Sequence, residues 1–182
     1  STLGTSGGRY VTDSAGSILV EGIAPGTTLI VKETRARENY VLDDTPQTAV
    51  IKAGQTVELE FRNQPCGSLL IRKVCSVNPS VTLANAEFKV AYSDGSLVGS
   101  SNGIYRSDEN GEVRIDGLIP GRSVVVTETK APAGFLIDTQ SQTAVIQAGR
   151  PVSLTFKNQP MGQLIVQKRD SATNQPLPGA EF

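Results

Sequence analysis

The sequence predicts an all-β protein, and three observations carry that prediction. Its apolar runs are short, rich in Val, Ile, Leu and Thr, and bounded by Gly, Pro, Asn and Asp, as in Ser123 to Thr129, Gln142 to Gln147 and Val152 to Lys157. No stretch sustains a helical period. The chain also repeats itself with a shift of 95 residues, so the turn signals recur: Asp13-Ser14-Ala15-Gly16 with Asp108-Glu109-Asn110-Gly111, Ala24-Pro25-Gly26 with Ile119-Pro120-Gly121, and Ala53-Gly54 with Ala148-Gly149. Strands at this spacing favour a compact antiparallel sandwich or barrel.

Each strand can be justified by parity, because side chains alternate between faces with period two. In chain order, Leu29, Val31 and Glu33 share one face, and Val57, Leu59, Phe61 and Asn63 share another. Leu69, Ile71 and Lys73 follow, then Val124, Val126 and Glu128, then Val152, Leu154, Phe156 and Asn158, and finally Leu164, Val166 and Lys168. Every row is apolar and ends on a polar residue. A buried ammonium or carboxylate without a partner costs several kcal/mol or is neutralised. Lys73, Glu128 and Asn158 are therefore expected to meet.

The repeat sets the domain frame. Residues 66–160 read as one complete unit, 1–65 as the later part of a preceding unit and 161–182 as the opening of a following one. A repeat of this length is domain-sized rather than solenoid-sized. It is long enough to bury a core without metals or many disulfides. Leu83-Ala84-Asn85-Ala86-Glu87-Phe88 recurs as Leu177-Pro178-Gly179-Ala180-Glu181-Phe182 with a shift of 94, one loop residue having been lost. The chain reads as cut from a longer tandem array.

Composition narrows the function. A net charge of −1 with scattered Lys and Arg gives no basic stripe for nucleic acid. No apolar run approaches the roughly 18–20 residues of a membrane span, and no signal peptide stands at Ser1. The absence of His excludes Ser-His and Cys-His nucleophilic systems, and no phosphate-cradling glycine motif is present. No metal site or cofactor is expected: there is no Cys cluster, and Asp108-x-Asn110-Gly111 is too short for an EF-hand and reads as a turn. Cys66 and Cys75, nine residues apart along one extended strand, are separated by about 30 Å at ~3.3 Å per residue and are read as free thiols.

The ordered motifs resemble a known family. A Leu-x-Ile-x-Lys strand (Leu69, Ile71, Lys73), a Gly-Ala-Glu-Phe-like segment, an Asp-x-x-Gly turn, a Leu-x-Pro-Gly turn, Glu128-Thr129-Lys130-Ala131-Pro132-Ala133-Gly134-Phe135 and a closing Phe-x-Asn look like the CnaB or SpaA type of prealbumin-like domain. Such domains build stalks, pilins and adhesins of Gram-positive surfaces. The resemblance covers essentially the whole chain and implies tandem prealbumin-like β-sandwiches at the extracellular face of the cell wall. It also implies an isopeptide bond in each domain between the first-strand Lys and the last-strand Asn, assisted by the Glu. Here these are Lys73, Asn158 and Glu128, with Glu33 and Asn63 as equivalents lacking their own Lys, and Lys168 lacking its Glu and Asn. Ala36-Arg37-Glu38-Asn39-Tyr40 departs from the pattern of Ala131-Pro132-Ala133-Gly134-Phe135.

The residue chemistry is consistent with that implication. An apolar core disfavours a charged Lys, and only the neutral amine is a nucleophile. A buried carboxyl can polarise the Asn amide and carry the proton to departing ammonia. This is a single-turnover self-modification, so the protein is not expected to be an enzyme. The expected partners are neighbouring repeats. Because 1–65 and 161–182 together make up nearly one unit, weak head-to-tail self-association is also expected. The competing function is a ligand-binding adhesin module that recognises a host protein or glycan through its loops. The small polar loop from Ser93 to Asn102 and the scarcity of aromatics favour a stalk. No sortase signal of the Leu-Pro-x-Thr-Gly type is visible, so anchoring must come from elsewhere.

Overall fold

The computed structural model describes residues 7–99 and 101–182. Residues 1–6 of the expected first unit and Ser100 of the polar loop lie outside the described residues. The chain divides into two compact units, Ser1–Asn63 and Gln64–Phe182. The described residues contain strands and turns but no helix.

In the first unit, β1 (Thr28–Val31) and β2 (Gln47–Val50) pair antiparallel, with Leu29 opposite Ala49. The Val57–Asn63 row, expected to be a strand, belongs to no ladder. The second unit explains why. Its corresponding segment, β9 (Pro151–Asn158), is paired to β3 (Gly67–Cys75), the strand that opens the unit. An extended segment becomes a strand only when its backbone groups find a partner. The 161–168 segment, also read as a strand, is likewise unladdered, with Leu164 and Ile165 86% and 78% exposed.

The second unit is a sandwich. Between β3 and β9 come β4 (Glu87–Tyr92), β5 (Ile104–Arg106), β6 (Glu112–Leu118), β7 (Ser123–Lys130) and β8 (Gln142–Val145). One sheet has the order β6-β3-β9 and the other β5-β4-β7-β8. All pairs run antiparallel except β3 with β9, which run parallel from Ser68 opposite Pro151 to Cys75 opposite Asn158. The core draws on both sheets: Leu69, Ile71, Val113, Ile115 and Phe156 from the first, and Phe88, Val90, Val124, Val126 and Ala144 from the second. Phe88 and Phe156 meet across it at 5.1 Å between ring centres, a tilted pair that adds to their area burial.

Turns close this sandwich as their residues dictate. Asp108 Oδ1 accepts the Asn110 and Glu112 amides at 2.9 and 2.8 Å, and Gly111 supplies the positive φ of 72° that the turn requires. A Cβ at Gly111 would lie 2.6 Å from the Lys73 carbonyl oxygen and 2.9 Å from the Leu83 nitrogen, both backbone atoms. Gly95 has φ of 84° and open space around it. Gly95→Ala is therefore expected to cost only the left-handed penalty of about 1–2 kcal/mol. Gly111→Ala should cost more than Gly95→Ala in the same urea-denaturation measurement, and equal losses would refute this account of the turn.

Candidate functional site

Three strands from both sheets converge on one buried polar cluster. Lys73, Glu128 and Asn158 are 0%, 1% and 1% exposed, among the most deeply buried side chains of the described residues. Lys73 sits near the end of β3, where its backbone N–H donates to the Gly111 carbonyl at 2.7 Å and its own carbonyl accepts the Leu83 N–H at 2.9 Å. Asn158 ends β9, its carbonyl accepting the Ser76 N–H at 2.9 Å. Parallel pairing aligns Lys73 with Phe156 and Cys75 with Asn158, so Lys73 and Asn158 are diagonal neighbours on the core face.

Glu128 comes from the facing sheet. It lies opposite Phe88, while Glu87 lies opposite Lys130, so Thr129 is the extra residue of a β-bulge. The bulge ends the inward alternation of β7: Thr129 and Lys130 are exposed immediately after the buried carboxylate.

The hydrogen bonds form a closed triad. Lys73 Nζ donates to Glu128 Oε2 at 3.1 Å and contacts Asn158 Oδ1, while Asn158 Nδ2 donates to Glu128 Oε1 at 2.7 Å. One carboxylate thus touches both the amine and the amide nitrogen. Glu128 Oε2 also accepts the Asp138 backbone N–H at 3.2 Å. Burial pushes the Lys73 amine below its usual 10.5; the Glu128 carboxylate is the largest opposing influence, with a smaller one from Asp138.

The first unit repeats half of this arrangement. Asn63 Nδ2 donates to Glu33 Oε1 at 2.8 Å, matching the Asn158–Glu128 contact. Gln47 Nε2 donates to the Glu60 carbonyl at 2.6 Å, as Gln142 Nε2 donates to that of Thr155 at 2.8 Å. Lys168 is exposed. Asp138 was not singled out from the sequence, although Asp43 stands at the same place in the earlier copy and was an available signal. Cys66 and Cys75 are free thiols, the former half-buried and the latter buried.

With the fold and its buried triad in view, the class is that of tandem prealbumin-like β-domains. The sequence model of the SpaA prealbumin-like fold domain matches residues 2–65 and 67–160, and the chain belongs to that family. Among solved structures, the Bacillus anthracis TIE protein is 28% identical, with a TM-score of 0.51 over 74% of this chain and 25% of that one. The minor pilin GBS52 of Streptococcus agalactiae is 20% identical, with a TM-score of 0.47 over 80% of this chain and 65% of that one. The major pilin SpaD of Corynebacterium diphtheriae is 18% identical, with a TM-score of 0.48 over 66% and 34%. The chain thus spans a quarter of the first of these and less than two thirds of the other two. No curated protein matches. Among the described residues no helix is long and apolar enough to cross a membrane.

The pair Lys73–Glu128 carries two stability predictions, best read in an Asn158→Ala background that leaves the pair without its amide. Lys73→Met there should cost about 3–5 kcal/mol in chemical denaturation by stranding a buried carboxylate, and adding Glu128→Gln should recover part of the loss. The pH dependence follows from the lowered Lys73 value. Between that value and 10.5 the unfolded chain binds the proton that the folded chain has released, so stability should rise with pH across this window. Lys73→Met should remove that contribution to the slope, and an unchanged slope would rule out Lys73 as its source.

Proposed function

We propose that the chain is a stalk or shaft module of a bacterial surface adhesin or pilin, stabilised by self-generated Lys–Asn isopeptide bonds and facing the extracellular side of a Gram-positive cell wall. The observation that carries this reading is the contact of one buried carboxylate, Glu128, with both nitrogens that exchange places in such a reaction. Proton transfer from Lys73 to Glu128 frees the amine. The amine attacks Asn158 Cγ, Glu128 passes that proton to Nδ2, the Cγ–Nδ2 bond breaks and ammonia leaves, and the carboxylate takes up the second proton that the new amide nitrogen sheds. One amide nitrogen replaces another, and no redox partner is needed. Confinement in a dry core supplies the proximity.

The benefit is mechanical and entropic. Lys73 and Asn158 are 85 residues apart, and closing such a loop is worth roughly 4–5 kcal/mol in the chain-entropy model. An amide is also indifferent to reductants. A stalk role is favoured over loop-mediated adhesion because the loop after β4 is tied down. Val98 is buried, its N–H donates to the Val90 carbonyl at 3.2 Å, and its carbonyl accepts the Tyr105 hydroxyl at 3.0 Å. Repeats of the same protein, within one chain and head to tail between chains, are the partners of this reading.

The test is the intact mass of the purified chain beside its Glu128→Ala variant. The parent is expected to lack about 17 Da, one ammonia, and the variant to retain it. A parent of full mass would remove the mechanism.

A further inference from the structure

Residues 134–142, which lead from β7 into β8, are pinned to the chain on both sides of Asn158. Beyond it, the Leu136 N–H donates to the Gln159 carbonyl at 2.9 Å and the Met161 N–H to that of Gly134 at 2.8 Å, with Phe135 bridged to Pro160. Before it, Gln142 Nε2 donates to the Thr155 carbonyl at 2.8 Å. The segment thus straddles Asn158. It is tied to β7 as well, because the Ser141 and Thr127 hydroxyls meet at 2.6 Å, one residue from Glu128.

In the middle of this saddle stands Asp138, half-buried, whose backbone N–H donates to Glu128 Oε2 at 3.2 Å. Its side chain holds the turn that presents that N–H, with Asp138 Oδ1 accepting the Gln140 N–H at 3.0 Å. The first unit repeats the device: Asp43 Oδ1 accepts the Thr45 N–H at 3.0 Å, and Gln47 Nε2 reaches the Glu60 carbonyl at 2.6 Å. The proton transfers among Lys73, Glu128 and Asn158 do not themselves use Asp138.

What a donor at this place contributes follows from the carboxylate it meets. The terminal torsion of a Glu side chain is broad and roughly two-fold, so a carboxylate held by Lys73 and Asn158 alone would be free to swing as the proton leaves one nitrogen for the other. A backbone N–H fixed by its own turn is unaffected by those transfers. We infer that Asp138 is a positioning residue for the self-modification: its turn aims the Asp138 N–H at Glu128 Oε2, keeping that oxygen toward Lys73 Nζ and Oε1 toward Asn158 Nδ2 while the proton moves. This inference rests on the Lys73–Asn158 chemistry proposed above and adds a residue that acts through Glu128. Displacement from the reactive geometry by even an ångström can cost about a hundredfold in rate.

The experiment follows the intact mass of the full chain during cell-free synthesis. Samples are quenched at intervals, and the fraction lacking about 17 Da is read for the parent, Asp138→Ala, Asp138→Asn and Asp43→Ala. Asp138→Ala removes the acceptor that holds the turn and is expected to slow ammonia loss about tenfold. Asp138→Asn keeps an acceptor oxygen without the charge and should restore the rate to within about threefold of the parent. Asp43→Ala makes the same change in the other unit and should leave the rate as it is. A parental rate in Asp138→Ala would overturn the inference, and so would equal slowing in Asp138→Asn, which would assign the effect to the charge. Folding is checked by circular dichroism and urea denaturation of Asp138→Ala in the Asn158→Ala background, where no link can form. The chain is expected to stay folded there, and an unfolded chain would overturn the positioning role. A parent that loses no ammonia would overturn the proposed function and this inference with it, whereas a failure confined to the Asp138 variants would leave that function standing.

Discussion

The second unit is organised around a lysine that water does not reach. An ammonium at zero exposure requires compensation from the protein itself, and here it comes from a carboxylate on the opposite sheet and an amide on the neighbouring strand. That requirement links β3, β7 and β9, and so fixes both the stacking of the two sheets and the register of the parallel pair. The bulge at Thr129, the Gly111 turn that holds the Lys73 backbone, and the Asp138 amide behind Glu128 all serve to place these three groups. Around them the Phe88–Phe156 contact and the aliphatic rows exclude solvent. Exclusion makes each polar contact stronger and an unmade one more costly.

Much of this was legible in the residues. Period-two parity alone put Lys73, Glu128 and Asn158 on inward rows, because a half-buried strand alternates and a polar residue in the apolar register stands out. The 95-residue repeat supplied a second copy of the same signal at Glu33, Asn63 and Lys168. What parity cannot contain is direction and partnership. Nothing in Leu69-Leu70-Ile71 states that the strand lies parallel to one that ends at Asn158, since that contact depends on everything folded between them. For the same reason Val57–Asn63 and Leu164–Lys168 read as strands and are not: their side-chain patterns are right, but the described residues give them no ladder. The bulge escaped as well, because Glu128-Thr129-Lys130 carries no glycine to announce it.

The opening strand β3 makes several contributions to the second unit. Both units hold the Glu–Asn contact at nearly the same distance. The lysine strand adds ladder partners for the last strand, cover for the apolar row and a donor for the second carboxylate oxygen. In the second unit Val126 is fully buried and Val152 partly so, whereas their first-unit counterparts Val31 and Val57 are 39% and 36% exposed.

The parallel course of β3 and β9 also determines how a unit stores its length. A chain that enters along one strand and leaves along a parallel neighbour enters and leaves at opposite poles, so tension shears the pair along its axis rather than peeling it open. With Lys73 joined to Asn158, the tension path would run from Gly67 to Lys73 and cross directly to the exit. The 85-residue separation between them, on the order of 290 Å of contour at ~3.4 Å per residue, would stay slack under any load the amide survives. A unit so joined would act as a link of fixed length, transmitting force without absorbing it.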